Sequence, residues 1–291
     1  MNTVDYREIP YNFTSADDEL IINHIFGPAV WGSLEELRSQ RITSRSARLV
    51  MRFIGDLFIM KRNPFLYQEL IDSPLRRHHF FKTAETDLQL IEKGVRAVGV
   101  SEARSTKVFN LVNTCRDKLN TLKKEVNTAK SRRAKIRKHF EPIVGRENIC
   151  FDPFTLISHA TDATDWRLCL PLAVVYPSSE SQVAPLLDAI HLLKLHAIPR
   201  GGGTGLTGGS VPVRDNCIVI NTERLNTVDS IREVQYRQDD SNCTVPILRV
   251  GAGVITQDAM AVADKEGLVF ATDPTSAWAS TIGGNISENA G

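Results

Sequence analysis

Apolar residues recur every three or four positions through the first half of the chain. Past about residue 146 they gather into short runs bounded by proline and glycine. Ile21, Ile25, Leu34 and Leu37, then Leu49, Phe53, Leu57 and Met60, fall at helical spacing. Ser33-Leu-Glu-Glu36 has the form of a capping box at a helix start, and Asn63-Pro64 closes the segment. The sharpest periodicity follows. Val108, Val112, Cys115, Leu119, Leu122, Val126, Ala129, Arg133, Ile136 and Phe140 alternate in steps of four and three, Arg133 alone being polar, and Glu141-Pro142 ends the run. This is a coiled-coil-type seam on one long helix. It fits a dimerisation or docking arm and, more simply, a helical hairpin against the preceding helices. His78, His79 and Asp87 read as surface groups.

The pattern after Gly145 is that of an α/β unit. Leu172–Tyr176 is an apolar strand between two prolines. Ser179-x-x-Gln182 offers a cap for a helix with Val183, Leu186, Leu187, Ile190 and Leu193 on one face, and His196–Pro199 returns as a strand. Such a βαβ crossover predicts two parallel strands. Further strands are expected at Cys217–Asn221 and Ile247–Val250, and a helix around Gln257–Glu266 ended by Gly267. The predicted division is a helical part over residues 1–146 and an α/β part over 147–291.

Between the second and third strands lies Arg200-Gly-Gly-Gly-Thr-Gly-Leu-Thr-Gly-Gly-Ser210, with six glycines in eleven residues. Glycines bring backbone N–H groups close to a ligand with no Cβ in the way, and such a loop cradles phosphate oxygens. A P-loop is excluded, because no lysine lies between Lys194 and Lys265. Gly203, Gly205 and Gly208 match G-x-G-x-x-G, with Glu223 twenty residues beyond Gly203. A Rossmann site, however, needs a helix directly after the glycines. Here Pro212 and a strand follow, so the nicotinamide reading is disfavoured. A second small-residue segment, Asp273 to Gly291, is expected to be helix-poor and to form the other wall of one phosphate site.

Charge and composition add limits. The formal net charge is +1, yet Arg104–Lys138 holds twelve Lys/Arg against two acids, a local +10. That stretch reads as a solvated helix face rather than a nucleic-acid surface. No run of eighteen uncharged apolar residues exists, so no membrane span is expected, nor is a secretory signal. Five dispersed cysteines without C-x-x-C argue against a disulfide framework, zinc or an iron–sulfur cluster, and no metal site is expected. A cytoplasmic protein is the expectation.

The strand–helix–strand leading into Pro199-Arg-Gly-Gly-Gly-Thr-Gly-Leu-Thr-Gly-Gly, followed by Asp273-Pro…Ser280-Thr-Ile-Gly-Gly-Asn-Ile-Ser-Glu-Asn-Ala-Gly, closely resembles the FAD-linked oxidases of the vanillyl-alcohol oxidase type. The branch it looks most like is that of D-lactate dehydrogenase and the glycolate oxidase flavin subunit. The helical part resembles, more weakly, the N-terminal extension of very large bacterial FAD/FMN-containing oxidoreductases. The resemblance implies an α/β (α+β) PCMH-type FAD-binding domain, incomplete at its C-terminus, preceded by a mostly α-helical domain. It further implies that the backbone amides of Gly201, Gly202, Gly203, Thr204, Gly205, Gly208 and Gly209 hold the FAD pyrophosphate. Thr204, Thr281 and Asn285 supply side-chain bonds, and Gly283 and Gly284 let the second wall approach. Arg200, Leu206, Asp273, Pro274, Ser280 and Asn289 complete the two motifs.

Relatives with covalent flavin often carry a histidine near the position of Thr204. None follows His196 here, so FAD is expected to be non-covalent. The chain ends inside the second motif, so a fragment is expected, with the catalytic residues elsewhere. The implied reaction is oxidation of a small 2-hydroxy acid by hydride transfer to flavin, the electron acceptor unidentified. Two alternatives stay open: a non-catalytic scaffold working through its basic heptad helix, with helix-mediated self-association, and an NAD-binding Rossmann enzyme.

Overall fold

The computed structural model describes residues 19, 22–23, 26–39, 45–97, 102–164, 169–238 and 241–290; Ile21 and Ile25 lie outside them. The chain forms two compact units, one within residues 10–134 and the other within 135–291. Composition changes at 146/147, whereas packing changes earlier, inside one long helix.

The first unit is helical: α1 (Pro28–Ser39), α2 (Arg45–Arg62), α3 (Pro64–Asp72), α4 (Pro74–Ala97) and α5 (Glu102–Val144), whose last turns belong to the second unit. Gly27, at φ +90°, and Pro28 at the first helical position start α1. Ser33 is therefore not a cap, as its motif suggested. It lies mid-helix and its Oγ donates to Ala29 O at 2.8 Å. Asn63 caps α3, accepting from the Phe65 amide at 2.9 Å. The seam on α5 is buried within this chain: Val112, Leu122 and Val126 share a core with Phe53, Leu57, Leu88 and Ile91. Its polar exception is paired, Arg133 donating to Asp72 at 2.7 Å and to Gln68. Asp87 is a correction to the sequence reading. It is buried and takes a two-pronged bond from Arg52.

The second unit centres on a four-stranded sheet of order β1-β2-β4-β3, made of β1 (Ile149–Cys150), β2 (Ala173–Val175), β3 (His196–Arg200) and β4 (Cys217–Asn221). β1 runs antiparallel to β2; β2, β4 and β3 are mutually parallel. The predicted parallel relation of β2 and β3 is present, with β4 inserted between them. Side chains alternate across the sheet. Ala173, Val175, Ile218 and Ile220 pack on Ile136, Phe140 and Val144 of α5 and on Leu186 and Ile190 of α7 (Val183–Leu192). Val174, Tyr176 and Val219 pack on Leu156 of α6 (Pro153–Ser158).

Two further helices, α8 (Thr256–Lys265) and α9 (Ile282–Glu288), and a hairpin of β5 (Arg232–Gln238) with β6 (Ser241–Ile247) complete the unit. The pattern missed this hairpin because polar and charged residues interrupt both strands; Ile247, expected to open a strand, ends one. The segment after Asp273, expected to be helix-poor, contains α9. Residues Gly283 and Gly284 are poor helix formers, and the Thr281 cap together with the bonds of the Ile282 and Gly283 amides to Val254 and Ala252 holds the first turn instead.

Candidate functional site

β3 and β4 are adjacent and parallel, yet residues 201–216 join them without a helix. The glycine run thus starts at the carboxyl end of β3, on the edge where β2 and β4 also finish. In α/β sheets that edge is where ligands bind. Arg200 fixes the start of the loop. Its Nη1 donates to Thr161 O at 2.6 Å and to Ser210 Oγ at 3.3 Å, and its Nη2 to Ser158 O at 3.4 Å. Gly203, at φ +68°, folds over the guanidinium so closely that a Cβ there would strike it. Burial lowers the Arg200 pKa, partly offset by the charge of Asp162. The expected phosphate-binding role of Arg200 is corrected to this extent: these donors clip the loop to residues 158–161.

The second segment is held by a buried network. Thr256 Oγ1 bonds with Ser280 Oγ at 2.9 Å and accepts from Asn285 Nδ2 at 2.7 Å, and an isolated bridge pairs Ile255 with Thr281. Asn285, expected to reach phosphate, spends its amide nitrogen here. Thr281 caps α9, accepting from Gly284 N at 3.3 Å. The amides of Ile282 and Gly283 donate to Val254 O and Ala252 O, both at 2.9 Å, and Asn285 N to Thr281 O. The first four N–H groups of α9 therefore all have protein acceptors.

The two motifs pack directly on one another. A Cβ on Gly201 would strike Thr281 Oγ1, and one on Gly202 the carbonyl of Ala279. Gly209 lies against Glu288, whose carboxylate accepts from Thr207 Oγ1 at 2.8 Å. Two of the loop glycines are thus required by the second segment, whatever the loop binds. Their amides tell a different story. Among the described residues, no protein acceptor meets the backbone N–H of any residue from Gly201 to Ser210. A run of partly exposed donors without protein acceptors suits an oxyanion, each charge-assisted bond contributing roughly 1.5–3 kcal/mol. Beside it opens a cavity of about 340 Å³ lined by Gly201, Gly202 and Thr281 and by Glu223, Val254 and Asp258, among others.

Below the cavity a polar chain crosses the strand ends. Asn221 Oδ1 accepts from the Glu223 amide at 2.8 Å, so Nδ2 faces His159 Nε2 at 2.9 Å and Glu223 Oε2 at 3.2 Å. His159 Nε2 must then be an acceptor, and Nδ1 carries the proton toward Thr155 O at 2.8 Å. Burial lowers the His159 pKa, the nearby Arg200 charge adding to it. Tyr176, 3.4 Å from the same nitrogen, has its pKa pushed up to about 12 by burial.

Of the expected residues, Gly201–Gly205, Gly208, Gly209, Ser280, Thr281, Gly283 and Gly284 come together. Leu206 is 77% exposed. Asp273 is exposed and Pro274 accepts from the Ala277 amide in the turn before Ser280, while Asn289 ends α9 in the left-handed conformation. Sequence reasoning missed Glu223 and Asp258 as cavity residues. A signal existed in Gly251 and Gly253, where a Cβ would strike the carbonyls of Leu225 and Thr222; these glycines seat the 251–258 turn on the strand-end loop.

The glycine crossover, the second small-residue wall and the donor set form a candidate site in an α/β domain without a Rossmann helix. Residues 171–291 match the family described as FAD binding domain, and residues 4–124 match a protein family of unknown function, DUF3683. Glycolate oxidase subunit GlcD of Bacillus subtilis is 30% identical over 156 residues, covering 54% of this chain and 31% of that protein. The GlcD of Escherichia coli K12 is 34% identical over 136 residues (47% and 25%). The mitochondrial D-2-hydroxyglutarate dehydrogenase of Arabidopsis thaliana is 29% identical over 153 residues (53% and 25%). The chain thus spans about a third or less of the length of these relatives. Its α/β part is thus similar, over residues 171–291, to FAD binding domains and to the glycolate oxidase flavin subunit.

Proposed function

We propose that this chain anchors the pyrophosphate of non-covalent FAD in an oxidoreductase acting on the CH–OH group of a small 2-hydroxy acid. The observation that carries the reading is the contrast between ten loop residues whose amides have no protein acceptor among the described residues and the fully bonded start of α9. The phosphates would rest on Gly201–Gly209, with Thr204 contributing its hydroxyl and Thr281 lining the adjoining cavity. Flavin, when bound, supplies a hydride acceptor. Arg200 holds the loop in shape and the Thr256–Ser280–Asn285 network holds the opposite wall, so the donors are preorganised before the ligand arrives. The 2-hydroxy acid class is inferred from the names of the relatives, glycolate and D-2-hydroxyglutarate enzymes. Among the described residues no helix is long and apolar enough to cross a membrane, and we place the protein in the cytoplasm as part of the same proposal.

Purified protein reconstituted with FAD tests the reading. Expected are a flavin visible spectrum retained on gel filtration, release of all flavin to the supernatant on acid precipitation, and loss of retention in Gly203→Val and Gly208→Val. Flavin retained equally by these variants would remove the loop from the site, and flavin in the acid pellet would contradict non-covalent binding.

A further inference from the structure

Among the described residues β5 and β6 form a two-stranded sheet of their own, and we propose that β5 pairs with the β5 of a second copy of this chain, antiparallel and centred on Gln235. The ladder fixes which backbone groups are free to do so. Pro246 lies opposite Glu233 and has no N–H, so these two residues cannot exchange a pair of bonds. The exchanging pairs are therefore Arg232 with Ile247, Val234 with Val245, and Tyr236 with Cys243. By alternation, the N–H and C=O groups of Glu233, Gln235 and Arg237 point away from β6. Among the described residues none of these groups meets a protein partner. The outer edge of β6 is the poorer template, because Pro246 leaves it one donor short.

The register follows from this alternation and from charge. Outward-facing residues must pair with outward-facing ones, so a two-fold axis can relate two copies only about a single residue position. About Gln235, the strand Arg232-Glu-Val-Gln-Tyr-Arg-Gln238 is complementary to its own reverse. Glu233 of each copy then stands opposite Arg237 of the other, and Val234 opposite Tyr236. Opposite charges, and an aromatic residue against a β-branched one, are favourable cross-strand pairs. An axis at Val234 instead puts Glu233 opposite Gln235, and one at Tyr236 puts Gln235 opposite Arg237, so both separate the charges. The apolar face adds to the case. Val234, Tyr236, Val245 and Ile247 share one side of the hairpin, where Tyr236 is 59% and Val245 39% exposed. Two strands alone are marginal in water, and pairing makes four and sets Tyr236 of each copy beside Val234 of the other. A seven-residue strand against its copy buries little area, so the dimer is of the weak, reversible class.

Sedimentation velocity of the full chain from micromolar to millimolar concentration tests this, with the fold of each variant checked by circular dichroism. The wild type should move from the mass of one chain toward that of two. Glu233→Arg sets like charges opposite each other at both ends of the ladder and should weaken the dimer about ten-fold, as should Arg237→Glu. The exchange variant Glu233→Arg/Arg237→Glu recreates both pairs in reverse and should dimerise like the wild type. Gln235→Pro removes an outward donor, as Pro246 already does on β6, leaves the β5–β6 ladder its bonds, and should abolish the dimer. A wild type that stays monomeric throughout overturns the proposal. So does a dimer that survives Gln235→Pro or is indifferent to Glu233→Arg, and so does an exchange variant as weak as the single ones.

Discussion

Thr207 and Glu288, eighty-one residues apart in sequence, are joined by hydrogen bonds from the threonine hydroxyl to both carboxylate oxygens, at 3.0 and 2.8 Å. One end of the glycine loop is thereby tied to the last residue of α9, as the other end is tied down by Arg200. Thr207→Val removes this tie without changing side-chain size. FAD titration should show a loss of a few-fold in affinity, from a less ordered loop, with the melting temperature almost unchanged because the pair is exposed. An affinity equal to wild type would show that the tie does not preorganise the loop.

Gly201→Ala places a methyl group against Thr281 Oγ1. Overpacking of this kind costs about 1–3 kcal/mol, readable in urea unfolding. Adding Thr281→Ala should recover part of that loss, so the double variant should be more stable than the sum of the singles. Gly202→Ala has no such rescue, because its obstacle is the Ala279 carbonyl, which every residue carries.

His159 makes stability depend on pH. Its folded pKa lies below the ordinary 6.5, so the unfolded chain takes up the proton more readily. The stabilisation is complete above about pH 6.5 and declines as pH falls toward the folded pKa. Thermal melts between neutral and mildly acid pH should show this decline in the wild type. In His159→Gln, whose amide oxygen can still accept from Asn221, the part due to His159 should vanish; an identical decline would assign it to other groups.

Arg133 is the polar member of an otherwise apolar seam and is 8% exposed. Arg133→Ala leaves Gln68 facing a gap in the helical unit and should cost about 1–3 kcal/mol in chemical denaturation, the usual cost of leaving a buried polar group without its partner. Arg133→Leu with Gln68→Leu should restore most of it. If the double variant is as unstable as Arg133→Ala, the pair has a role that apolar packing cannot replace.

Much of this was legible in the chain. The four-three alternation on α5 names the residues that end up inside, because a 3.6-residue helix can bury only one stripe. It could not say what covers that stripe, and the answer, the chain's own α2 and α4, depends on residues far away in sequence. The absence of a lysine excluded a P-loop, and the absence of a following helix disfavoured a Rossmann site, from spacing alone. Composition also hid things. Gly283 and Gly284 read as helix breakers, yet α9 forms because Ala252, Val254 and Thr281 accept its first amides, and propensity cannot foresee such contacts.

The sequence by itself determined the periodicities, the two small-residue motifs and so the kind of ligand a glycine loop can hold, because these follow from backbone stereochemistry within a few residues. Tertiary structure alone decided which groups remain free to bind. Arg200 and Asn285, both apt for phosphate, are turned to protein partners, while Glu223 and Asp258, thirty-five residues apart, meet at one cavity. A polar group's availability is set by what packs against it, and that is fixed only when distant segments of the chain close on one another.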